Sequence, residues 1–137
     1  MSFIKHYLDF ILCILEADGK ITDEEKELFL KMLDRTGVQK KLIQQYKKLL
    51  EKEATGLDPE EVISSIVEEA DAELLGWLVR DAYLAAEVDG KVSKEEIVLI
   101  NKLLEAAGVP KKLHKVIQSW GMEFIAHTKC IPILFAK

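Results

Sequence analysis

Two short acidic turns carry the residues of this 137-residue chain whose types and spacing could do chemistry. The first runs Glu16-Ala-Asp-Gly-Lys-Ile-Thr-Asp-Glu-Glu25, and it returns 71 positions later as Glu87-Val-Asp-Gly-Lys-Val-Ser-Lys-Glu-Glu96. Carboxylates bunched at a glycine turn offer hard oxygen donors, the ligands that calcium and magnesium take. The obvious template is the calcium loop of an EF-hand, which needs oxygens at positions one, three, five and twelve around a glycine at six. With Gly19 at six, Asp18, Glu16 and Glu25 fall at five, three and twelve, but position one is Ile14. The second copy places Gly90, Asp89, Glu87 and Glu96 in register and fails at the same ligand, with Ala85. Neither turn is an EF-hand.

Part of the motif has a plain structural reading. Thr22-x-x-Glu25 and Ser93-x-x-Glu96 are capping boxes, in which the hydroxyl accepts the amide three residues on and the glutamate accepts the amide of the cap. Gly19 and Gly90 suit the chain reversal that ends the preceding helix. Capping leaves unexplained why Glu16, Asp18 and Glu24 recur as Glu87, Asp89 and Glu95. An aspartate at a helix C-terminus even opposes the macrodipole.

The elements that position these turns are helices. The same offset holds without a gap from Glu16–Leu42 to Glu87–Leu113, with about half of the aligned positions identical, so one supersecondary unit occurs twice. Apolar stripes with helical spacing include Leu28, Phe29, Met32 and Leu33, then Ile97, Ile100, Leu103 and Leu104, then Leu113, Val116, Ile117, Trp120 and Phe124. Gly37 and Gly108 mark matching stops, and Pro59 and Pro110 suit first turns. The expected fold is all-α with seven helices near 2–17, 23–36, 39–53, 59–70, 72–88, 94–107 and 110–125. The repeat units are 2–53 and 72–125, helix four is a connector, and the whole chain is one domain. Helices one and five are apolar almost all round, which predicts a central pair covered on every side and related by a pseudo-two-fold axis. An irregular tail, 126–137, carries the apolar Ile131-Pro-Ile-Leu-Phe135.

Composition narrows the function. A formal charge of -5 speaks against nucleic acid, whose phosphates attract Lys and Arg. The apolar N-terminus is broken by Lys5 and Asp9. Those breaks come too early for a membrane-spanning helix, which needs about 20 apolar residues in a row. Cys13 and Cys130 form no CxxC pair; Cys13 reads as a core residue, and a cytoplasmic location is expected. His6, His114 and His127 do not pair with one another at helical ligand spacing, and no phosphate-binding glycine loop occurs, so no enzyme is expected. Lysines cluster at 40, 41, 47 and 48 and again at 111, 112 and 115, giving a solvated face or a surface for an acidic protein or a membrane.

The pattern Ala-Asp-Gly-x-Ile-x-x-x-Glu from Ala17 to Glu25, between an apolar and an amphipathic helix, resembles the TerB-like family over residues 3–125. The second copy has Val88 in place of Ala17 and is otherwise close. That family includes tellurite-resistance TerB proteins and the N-terminal domain of DjlA-type co-chaperones. The resemblance implies an all-α fold with an internal repeat, a role in metal or general stress resistance, and cation binding at acidic positions. By position these are Asp18, Glu25, Asp89 and Glu96, taking calcium or magnesium. A co-chaperone activity is not expected from this module. The expected function is a non-catalytic adaptor with protein partners; the alternative is an interaction module whose acidic turns are purely structural.

Overall fold

The computed structural model describes the backbone of residues 2–87 and 91–134, with side chains at 3–87 and 91–126. Among these residues the chain forms seven helices and no strand: α1 (Ser2–Glu16), α2 (Asp23–Thr36), α3 (Lys40–Glu51), α4 (Pro59–Glu69), α5 (Ala72–Ala86), α6 (Lys94–Ala106) and α7 (Lys111–Leu134). The all-α expectation holds, and the first six helices fall within a few residues of their expected bounds. Gly37 and Gly108 take the left-handed backbone, φ 69° and 83°, that stops α2 and releases the chain before α7. Asp58 caps α4 by accepting the Glu60 amide at 3.0 Å, with Pro59 in the first turn, where its missing amide costs nothing. Asp71 caps α5 by accepting the Leu74 amide at 2.8 Å.

The core is built around α1. Leu8 and every residue from Phe10 to Leu15 are buried, and the helix lies against α4, α5, α6 and α2. Helix α4 is more than a connector, since Val62, Ile63 and Ile66 are buried as it packs along α1 and α6. Asp9, the polar break in the apolar run of α1, is buried with both oxygens satisfied, as buried polar groups must be. The Tyr46 hydroxyl donates to its Oδ1 at 2.7 Å and Lys5 Nζ to its Oδ2 at 2.8 Å. The Tyr46 contact ties α3 to α1, while the Tyr7 hydroxyl donates to Asp81 and ties α1 to α5. Cys13 is a core residue as expected.

Two expectations are corrected. The segment from 126 to 134 continues α7 as helix to Leu134; residues 122–131 hold no glycine or proline to stop it. How the apolar side chains from 131 to 135 pack lies outside the described residues. Helix α5 is not covered on every side: Leu78, Val79, Ala82 and Tyr83 are buried, yet Leu74 and Trp77 are 38% and 47% exposed. On α7 the apolar stripe mostly faces outward, with Leu113, Val116 and Trp120 exposed. A different face seats the helix. Gly121 is buried so closely on Tyr83 of α5 that a Cβ there would stand 2.4 Å from the ring, and Ile125 is buried on the same helix. The only residue that permits this approach is glycine, which a search for apolar stripes passes over.

Candidate functional site

Helix α1 closes with Gly19 donating to the Glu16 carbonyl at 3.0 Å, and the chain turns through Ile21 into α2. The capping box at this entry is complete. The Glu25 amide donates to Thr22 Oγ1 at 3.2 Å, and the Thr22 amide donates to Glu25 Oε1 at 2.8 Å. The second copy repeats it at the start of α6, with the Glu96 amide on Ser93 Oγ at 3.2 Å and the Ser93 amide on Glu96 Oε1 at 2.7 Å. One of the unexplained acids gains a structural role. Glu16 Oε2 accepts the Thr55 amide and Oε1 the Thr55 hydroxyl, both at 2.8 Å, so it clasps the loop between α3 and α4 onto the end of α1. No sequence signal pointed to Thr55. Asp18, Glu24 and Glu95 are exposed.

The two capping glutamates are not ordinary surface caps. Glu25 and Glu96 are each only 1% exposed. Burial pushes the Glu96 carboxyl above its usual range; the Ser93 hydrogen bonds pull it back in part, and the negative charges of Asp18 and Glu25 raise it further. Each of these follows from what favours or disfavours the charged form. The charges of Asp18 and Glu25 in the first copy thus act in the same direction as burial at the second cap. Glu96 Oε2 is buried and accepts no hydrogen bond from the described residues.

Of the four residues singled out for a cation, Asp18 is exposed, Glu25 and Glu96 are buried in their capping boxes, and Asp89 lies outside the described residues. Their oxygen donors are of the type a hard divalent cation takes. Among the described residues no three acidic, histidine or cysteine side chains converge at metal-binding distance. The cysteine of α1 adds nothing to such a site. Burial, with the charges of Asp9, Glu16 and Asp58, pushes the Cys13 thiol up to about 12, so it stays protonated and is no thiolate ligand. His114 is bonded to the turn before α7, with Nε2 3.0 Å from the Val109 carbonyl.

An all-α domain with an apolar central helix and two capping boxes, each opening an amphipathic helix, is the class these features define. The family model described as tellurite resistance protein TerB matches residues 10–117, and the chain belongs to that family. It is thus a TerB-like, tellurite-resistance-associated domain. Comparison with curated proteins and with solved structures gives no match. No helix among the described residues is long and apolar enough to cross a membrane.

Proposed function

We propose that this domain is a non-catalytic, cytoplasmic adaptor in tellurite or general stress resistance whose acidic turns respond to a divalent cation, calcium or magnesium. The observation that carries this reading is the burial of the Glu96 carboxylate, whose Oε2 accepts no hydrogen bond from the described residues, where the charges of Asp18 and Glu25 add to the effect of burial. Capping does not require that burial, because an exposed glutamate at the same helix position makes the same hydrogen bonds. A buried charge costs several kcal/mol unless it is paired. At Glu96 the cap amide uses only Oε1. A cation held by Asp18, Glu25, Asp89 and Glu96 would offset the repulsion and join the α1–α2 turn to the entry of α6. Cation occupancy would then bias how the two halves seat against each other, which is the kind of change a protein partner can read. The alternative, an interaction module with structural turns, draws support from the cap bonds and the Thr55 clasp.

Calorimetric and thermal titration of chelator-treated protein with calcium and with magnesium separates the two. Binding heat with a rise in thermal midpoint is expected, worth about 2.7 kcal/mol at a hundredfold excess over Kd. Asp18→Asn and Glu96→Gln should remove both signals while the protein stays folded. No heat and an unmoved midpoint at millimolar cation would leave the turns structural.

A further inference from the structure

Six large hydrophobic side chains are exposed among the described residues, and five of them, Leu74, Trp77, Leu113, Val116 and Trp120, lie on α5 and α7. Monomeric proteins scatter such residues; a contiguous apolar patch marks a surface that is covered in use. Here the two helices meet in one patch. Trp77 and Trp120 line one groove of about 220 Å³ with Gly76 and Arg80. The Arg80 guanidinium lies 4.3 Å from the Trp77 ring centre and 5.6 Å from that of Phe124, and it is neutralised by Asp81 at 2.9 Å. Arg80 is thus a flat plate stacked between aromatic rings, not a free charge seeking an anion.

Along α7, Leu113, Val116 and Trp120 follow each other at spacings of three and four, the seam of a helix that pairs with another helix. One edge of that seam carries Lys112 and Glu123, both exposed. Three full helical turns separate them, so they sit on the same edge about 16 Å from each other. The seam therefore carries a positive charge towards one end and a negative charge towards the other, with Val116 and Trp120 on either side of their midpoint.

We infer that this face docks on the same face of a second copy of the chain, α7 against α7 and antiparallel. A two-fold axis midway between Lys112 and Glu123 sets Lys112 of each copy opposite Glu123 of the other, and places Val116 and Trp120 at the centre. A parallel pairing would set the two lysines level with each other and the two glutamates likewise, with no opposite charges facing across the contact, so the charge pattern favours the antiparallel pairing. An isologous contact of this kind closes on itself and covers the seam in both copies. An anionic lipid surface attracts polybasic segments and fits less well, because Glu123 borders the seam and the chain is acidic overall, at -5.

The assembly is independent of the cation reading and is tested in chelator. The chain has only two tryptophans, and both lie in this patch, so tryptophan fluorescence reports on it alone. Sedimentation equilibrium should show a monomer–dimer equilibrium, with tryptophan emission shifting to the blue as the protein is concentrated. Val116→Asp, at a position 61% exposed, should keep the helical circular dichroism and abolish the dimer, since it sets two carboxylates across the axis. Lys112→Glu or Glu123→Lys alone should weaken dimerisation at least several-fold, and the two together should restore it. A chain that stays monomeric at several hundred micromolar, a dimer that survives Val116→Asp, or charge reversals without mutual rescue would each overturn the inference. So would a blue shift produced only by vesicles of anionic phospholipid.

Discussion

The same substitution, glycine to alanine, should have opposite effects at two positions on the two sides of the α5–α7 contact. At Gly121 a Cβ would meet three carbons of the Tyr83 ring at 2.4, 2.8 and 2.8 Å. Carbon atoms attract best at about 3.5–4.0 Å, so α7 must retreat by roughly 1 Å or more, or the ring must turn. Tyr83 is fully buried, with neighbours on all sides, and has nowhere to go. Overpacking of this kind costs about 1–3 kcal/mol. Alanine regains roughly 0.8–1.0 kcal/mol of helix propensity over glycine, so Gly121→Ala should end between neutral and about 2 kcal/mol destabilised. At Gly76, also inside a helix, a Cβ meets nothing within 4 Å. Gly76→Ala therefore keeps only the propensity gain and should stabilise by up to about 1 kcal/mol. Urea denaturation of both variants gives the difference directly, and it should equal the packing cost alone. For a domain of this size each kcal/mol moves the thermal midpoint by roughly 3–5 °C, so thermal scans should separate the two variants clearly. Equal stability of the two variants would show that α7 is not seated on Tyr83, and the exposure of the Trp120 stripe, which follows from that seating, would lose its basis.

Thr22→Ala and Ser93→Ala each remove the acceptor for an orphan helix amide. Each should cost about 0.5–2 kcal/mol in denaturant titrations. Glu16→Ala leaves the Thr55 amide without its acceptor in a residue only 7% exposed. The cost should be about 1–3 kcal/mol, with faster hydrogen exchange in the loop between α3 and α4. Glu96→Gln keeps an oxygen for the Ser93 amide and removes the buried charge. The folded-state pKa of Glu96 is raised, so the folded protein holds the proton more tightly than the unfolded chain. Wild-type stability in chelator should therefore fall relative to Glu96→Gln as the pH rises from the usual carboxylate range through the raised value, then level off. A difference that grows on acidification instead would mean that the neighbourhood stabilises the Glu96 carboxylate.

Local chemistry was legible in the chain, and so was the fold class. The capping boxes at Thr22–Glu25 and Ser93–Glu96, the stops at Gly37 and Gly108 and the all-α architecture depend on residues within one or two turns of each other, and short-range hydrogen bonding and periodicity decide them. Burial of Cys13 followed from the length of the apolar run around it. Spacing also marked the acidic residues, but could not say which are held and which are free. Glu16 is held by Thr55, 39 positions away, and Glu96 feels Asp18 and Glu25 only because α1 and α6 pack in the same core. Periodicity likewise identified the apolar stripe of α7 without indicating its direction. A stripe looks the same whether it faces the core or the solvent, and the close approach of Gly121 to Tyr83 turned it outward. Sequence by itself determined what each segment could form and which residues could do chemistry. The tertiary structure decided which of them are buried, which meet and which face outward, because those outcomes depend on contacts between helices that lie far apart along the chain.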